Sequence, residues 1–200
     1  MSLRRVAAKD LQPSNFFFNE ANLIKANSYL TNYPQDRKQS ALLPLLHLAQ
    51  EQEGWICVAA MAYIADFLEM PYIKVYEVVT FYTMFNLSPI GKYHLQVCTT
   101  TPCWLRGSDE IMNVCKNKLN IAHGQTTLDQ KFTLSEIECL GACANAPVVQ
   151  INNDYYEDLN AKNFSIVLDN LQHDKKINSG SQTKRQCSIP ENYLNGNQNA

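Results

Sequence analysis

Between residues 19 and 87 the apolar positions recur with helical spacing. A first helix is predicted over 20–31, stopping before Asn32, Tyr33 and Pro34. A second opens at Ser40 as N-cap, carries Leu42, Leu43, Leu45, Leu46 and Ala49, and stops at Gly54. Pro44 falls in its first turn, where a missing N–H costs little. A third, over 59–69, repeats Met61, Ile64, Ala65 and Leu68 and is ended by Met70 and Pro71. A fourth, over 73–85, spreads Val75, Val78, Val79, Tyr82 and Phe85 over broad apolar faces. Short helices joined by short turns predict an antiparallel bundle.

After Ser88, Pro89, Ile90 and Gly91 the period changes to two. Residues 92–98 (KYHLQVC) alternate Tyr93, Leu95 and Val97 with polar neighbours, as a half-buried strand does. A helix follows over 108–119, with Ser108 as its cap, then a second alternating strand over 132–138. Residues 148–151 and 154–156 flank Asn152 and Asn153 as a hairpin, and a closing helix covers 160–171. The order β-α-β-β-β-α reads as a small sandwich of helices on a sheet, so the fold class is α+β. From His173 onward the chain is polar, as an extended tail would be. The expected organisation is a flexible N-terminal arm over 1–18, a helical bundle domain over 19–88, an α+β domain over 89–172 and a polar C-terminal tail over 173–200.

Composition narrows the function. Hydrophobic residues make up 46% of 200 positions, enough for a proper core. A net charge of −2 provides no broad basic field for nucleic acid. The longest apolar run, over 58–68, is broken by Asp66 and fits a buried helix better than a membrane span. The opening MSLRRVAAKDLQPSNFFF has arginines but no apolar segment, which speaks against a secretory or export signal.

Seven cysteines, an odd number in a chain with no sign of secretion, argue against a disulfide framework. Four of them form the pattern C-x4-C-x35-C-x3-C: Cys98 and Cys103 in VCTTTPC, Cys139 and Cys143 in ECLGAC. Both pairs fall at predicted strand ends, in loops that must approach each other to share one centre. Structural zinc takes pairs of C-x2-C to C-x4-C, so these sit at its wide end. A [2Fe-2S] cluster has two irons and accepts a wider pair on each, so the spacing favours it over zinc. Thr99, Thr100 and Thr101 offer donors to sulfur, Pro102 stiffens the loop, and Gly141 and Ala142 let backbone curl close. A thiol–disulfide enzyme needs C-x-x-C at a helix start, and the chain has none.

VCTTTPCWLRGS, followed by ECLGACANAPVVQINNDYYEDL, resembles the small flavoprotein-fragment subunits of respiratory NADH:quinone oxidoreductase, complex I. LLPLLHLAQEQEGWI and VYEVVTFYTMFNLSPIGKYHLQVC resemble the same family, and the likeness runs over 18–171. It implies a helical domain followed by a thioredoxin-like [2Fe-2S] ferredoxin domain. One iron would be held by Cys98 and Cys103, the other by Cys139 and Cys143. It also implies partners: a larger subunit that binds NADH and FMN, and other subunits of the peripheral arm. The arm would lie on the cytoplasmic face of a bacterial inner membrane, or on the matrix side in mitochondria. The chain has no GxGxxG fingerprint, so flavin and NADH would belong to the partner. Diaphorase subunits of NAD-linked hydrogenases and formate dehydrogenases share the cysteine pattern and are the alternative. TKRQCSIPENYL resembles the C-terminal extension of respiratory members.

The remaining candidates read more plainly. Cys57 and Cys115 are expected in the core. Cys187 is expected as a surface thiol or one packed on a partner. His94 alternates outward on the first strand close to Cys98 in sequence, with support of the cysteine ligands as its alternative role. His47 is expected on a helix face, and His123 and His173 in solvated loops.

Overall fold

The computed structural model describes residues 5–186. The expectations for Cys187 and the end of the tail lie outside the described residues. Contacts divide the chain between Pro89 and Ile90 into two compact units.

The first unit carries α1 (Glu20–Leu30), α2 (Leu42–Glu53), α3 (Val58–Phe67) and α4 (Tyr72–Phe81). Consecutive helices pack on one another around Leu45, Leu46, Ile56, Met61, Ile64, Leu68, Val75 and Val79. Asn19 caps α1 by accepting the Asn22 N–H at 2.8 Å. Ser40 does not cap α2, because a 3-10 stretch over Gln35–Ala41 leads directly into it. Its other end is as expected: Gly54 is left-handed (φ 80°) and donates to the Gln50 carbonyl at 2.7 Å.

The helix expected over 73–85 ends at Phe81. Tertiary hydrogen bonds take the following residues elsewhere. Gln50 donates to the Met84 carbonyl and accepts the Asn86 N–H, and the Ile56 N–H donates to the Asn86 carbonyl. The arm expected to be flexible is packed in its described part. Phe16 and Phe18 are buried against Tyr63, the Ala7 N–H donates to Leu87, and Gln12 accepts the Val58 N–H. Burial of the two phenylalanine rings, together with these hydrogen bonds, offsets part of the arm's conformational entropy.

The second unit carries β1 (Tyr93–Cys98), α5 (Thr101–Leu105), α6 (Ser108–Leu119), β2 (Phe132–Ile137), β3 (Val149–Ile151), β4 (Asp154–Glu157), α7 (Ala161–Gln172) and β5 (Gly180–Ser181). The five strands form one sheet in the order β2-β1-β3-β4-β5. β1 runs parallel to β2 and antiparallel to β3, and β3–β4 is the expected hairpin. Leu95, Val97, Phe132, Leu134, Val149 and Ile151 form a core with Ile111, Met112 and Cys115 of α6 and Phe164, Val167, Leu168 and Leu171 of α7. The α+β class stands.

Gly91 admits the first strand pair. A Cβ there would come within 2.9 Å of the Lys131 carbonyl carbon and the Phe132 nitrogen, so only glycine lets the two backbones meet. Segment 173–186, polar in sequence, is tied down rather than extended. Asp174 accepts from Lys92, Lys131 and Tyr93, which hold its carboxyl well below the usual range. β5 then adds to the sheet parallel to β4.

Candidate metal centre

Parallel pairing decides where the cysteines meet. Cys98 ends β1 in register with Ile137, which ends β2, so both following loops leave the same edge of the sheet. The first loop turns at Thr99 and Thr100 into α5, whose first turn contains Pro102 and brings Cys103 inward. The second passes Cys139 and left-handed Gly141 (φ 79°) into a 3-10 turn, Cys143–Asn145. Cys98 and Cys103 are buried with Ala146 and Val148, while Cys139 and Cys143 are exposed.

The loops are fastened to each other and to the sheet. Thr99 donates to Glu136 at 2.8 Å, Tyr155 of β4 donates to the Leu140 carbonyl at 3.0 Å, and the Cys98 N–H donates to Val148. The Thr100 hydroxyl lies 3.3 Å from Cys98 Sγ, and the Gly141 N–H donates to Cys139 Sγ at 3.4 Å.

Each pair combines one easily ionised and one reluctant thiol. Burial opposes ionisation of Cys98, but Thr100, the Leu140 N–H and Cys103 more than offset it and bring its pKa down. Its partner Cys103 is pushed up to about 12 by burial and by Cys98. Cys139 is brought down by the Gly141 N–H, Cys143 and Thr100, whereas Cys143 is raised by its hydrogen bond to Cys139, by burial and by neighbouring charge. Cys98 acts on Cys139 and Cys143 as well as on Cys103, so the pairs share one electrostatic environment.

The donor set fits a metal–sulfide group. Cys139 Sγ and Cys143 Sγ are 3.7 Å apart. Two thiolates on a tetrahedral ion with bonds of about 2.3 Å stand about 3.8 Å apart. Among the described residues no three or more His, Cys, Asp or Glu side chains form a single-ion site. The thiols come as two pairs, the form in which two irons take them.

The other cysteines lie elsewhere. Cys57 is buried and caps α3 by accepting the Ala60 N–H at 3.3 Å. Cys115 is on the buried face of α6, its thiol pushed up to about 12 by burial. His94 occupies the opposite end of β1 from Cys98, with its ring nitrogen 2.8 Å from Ser135 Oγ and its pKa lowered to about 4 by burial. Gly107, left-handed at φ 98°, takes the cap position expected for Ser108, whose hydroxyl is buried without a hydrogen-bond partner. Glu136, Tyr155 and Arg185 reach the cysteine loops from distant positions, and no local signal marks them in the sequence.

Residues 26–172 match the model of the family described as thioredoxin-like [2Fe-2S] ferredoxin. The chain is 61% identical over 160 residues to an NADH-quinone oxidoreductase subunit of Rickettsia typhi, covering 80% of this chain and 94% of the relative. It is 68% identical over 146 residues to the likewise named subunit from Rickettsia prowazekii, covering 72% of this chain and 82% of the relative. With the mitochondrial NADH dehydrogenase [ubiquinone] flavoprotein 2 of Dictyostelium discoideum it shares 49% over 174 residues, 86% of this chain and 70% of the relative. The crystal structure of an NAD+-reducing [NiFe]-hydrogenase in the air-oxidized state superposes with a TM-score of 0.59 at 21% identity. That match covers 67% of this chain but only 23% of the hydrogenase chain, and it shows the fold alone.

Proposed function

The chain belongs to the thioredoxin-like [2Fe-2S] ferredoxin family, and we propose that it is the electron-transferring subunit of an NADH:quinone oxidoreductase, holding one [2Fe-2S] cluster through Cys98, Cys103, Cys139 and Cys143. The observation that carries the reading is the 61% identity to the Rickettsia typhi relative along 94% of that relative's length. The likeness to a hydrogenase, at 21% identity, does not favour the diaphorase alternative. Structural zinc finds no support in a family defined by two irons.

When bound, the cluster takes up and returns one electron, with a potential set by donors to its sulfurs and by solvent exposure. The chain's own residues do the rest. Cys98 and Cys103, buried with Ala146 and Val148, hold one side of the group away from water. Cys139 and Cys143 hold it from the exposed side, where a partner's flavin can approach. Thr100 and the Gly141 N–H donate to the thiolates and favour their ionised form. Loading the group displaces the protons of four thiols, of which those on Cys103 and Cys143 are the more tightly held.

The protein works within a complex. Its partner in this reading is the flavin- and NADH-binding subunit of the peripheral arm, on the cytoplasmic or matrix side. Beside Cys103, Trp104 and Leu105 are 56% and 71% exposed, large apolar groups suited to a protein contact. No helix among the described residues is long and apolar enough to cross a membrane.

The test is the intact complex purified from its source membranes and reduced with NADH. A [2Fe-2S] signal that disappears when Cys139→Ser is introduced supports the proposal. A complex that contains this chain yet neither oxidises NADH nor loses a signal with the variant refutes it.

A further inference from the structure

Arg185 lies in the polar segment after β5, far in sequence from the cysteines, yet its guanidinium reaches the loop that carries Cys143. Nη2 donates to the Ala144 carbonyl at 2.9 Å and to Asn145 Oδ1 at 2.8 Å, the two residues that follow Cys143. The same guanidinium grips Asp158 through Nε, at 3.1 Å from Oδ2, and through Nη2 to Oδ1. Side-chain exposure is 12% for Arg185 and 9% for Asp158, so the pair is largely withdrawn from water.

The surroundings close this arrangement. Ser181 donates to Asp158 at 2.6 Å and accepts the Arg185 N–H at 3.1 Å. Asn145 donates to Glu157 at 2.5 Å, and its carbonyl accepts the Asp158 N–H at 2.7 Å. The 3-10 turn Cys143–Asn145 is thus held from β4 and from the segment beyond β5. A short turn of this kind has few hydrogen bonds of its own.

We infer that Arg185 is a positioning residue for the metal centre, and that segment 180–186 is a strap fixing the Cys143 side of the site. The inference rests on the proposed cluster ligation. Arg185 sets where Cys143 stands by fixing the next two residues, Ala144 and Asn145. Its charge is matched by Asp158, so its effect is geometric rather than a field on the centre. Loss of a group that orients a metal ligand from behind typically costs about 10–100-fold in metal affinity.

The full chain is compared with Arg185→Met, with Asp158→Asn/Arg185→Met and with Arg185→Lys. The double variant avoids leaving a buried carboxylate unpaired, and asparagine tolerates the left-handed backbone at position 158 (φ 53°). Arg185→Lys keeps the charge but gives up the planar fork, and it decides the matter if the others do not fold. Cys115→Ser, a core change remote from the loop, serves as the destabilised control.

In the cluster-loaded chain, release of iron to a chelator is expected to accelerate roughly tenfold in the Arg185 variants. Their visible circular dichroism should change too, while Cys115→Ser keeps the parent's release rate and spectrum. In the metal-free chain, amide exchange at Asn145 and Ala146 should quicken about tenfold, as the loss of a hydrogen bond to a charged group implies. Folded Arg185 variants with unchanged release, spectrum and exchange overturn the strap. A parent chain that binds no cluster, with exchange still accelerated by Arg185→Met, overturns the ligation and leaves the strap standing.

Discussion

Cys98 and Ile137 are register partners at the ends of two parallel strands. A gap of 35 residues between the cysteine pairs is thereby reduced to neighbouring exits from one sheet edge. Parallel neighbours need a crossover connection, here α5 and α6, and α5 itself carries Cys103. The element that joins the strands also supplies a thiol.

Gly91→Ala should disturb this register without touching a cysteine. The added methyl meets backbone of Lys131 and Phe132 that cannot rotate away. The expected cost is about 1–3 kcal/mol of stability, with a lower yield of loaded protein. Denaturant unfolding of the metal-free chain measures it, and unchanged stability contradicts the close approach.

Serine at Cys139 should cost the chain most of its cluster. Serine at Cys57, which caps α3 and belongs to neither cysteine pair, should leave the spectrum intact, and serine can take over the cap. At Cys115 a buried hydroxyl should cost about 1–3 kcal/mol of stability while leaving the spectrum unchanged. Iron content and visible absorption of the three variants separate these outcomes.

His94 predicts an acid limb of stability. Its folded-state pKa is about 4, lowered by burial, against about 6.5 in the unfolded chain. The unfolded chain therefore takes up the proton first as pH falls. The contribution of neutral His94 is fully present above about pH 6.5 and is lost progressively toward pH 4. Over that window the metal-free parent should lose up to about 3 kcal/mol more than His94→Gln. Parallel stability curves for the two chains would contradict this.

Trp104→Ala/Leu105→Ala should leave the cluster spectrum of the isolated chain unchanged and weaken its retention in the complex. Co-purification with the flavin subunit after a salt wash measures the effect. Full retention would assign these exposed side chains no role in assembly.

Much of this was legible in the sequence, and the remainder is non-local. The alternation of Tyr93, Leu95 and Val97 marked β1 because one face of the sheet is buried by α6 and α7. Asn152 at the hairpin acts through neighbours a few residues away and could be read directly, whereas Asn160, expected as the first residue of the closing helix, is its cap. The five-residue α5 hid inside a loop containing Pro102. β5, two residues long, exists through its pairing with β4 and the grip of Arg185 on Asp158. Its polar composition therefore suggested a free tail. At the candidate site, spacing singled out the four thiols and offered Thr99, Thr100 and Thr101 as donors to sulfur. Thr100 lies by Cys98 Sγ while Thr99 bonds Glu136, and Tyr155 and Arg185 reach the loops only when the chain is folded.

The most direct test of the central claim is metal and sulfide analysis of the purified full chain, with electron paramagnetic resonance before and after reduction. The account predicts a red-brown protein with about two irons and two acid-labile sulfides per chain, silent when oxidised and paramagnetic after taking up one electron. A colourless chain carrying stoichiometric zinc would contradict it.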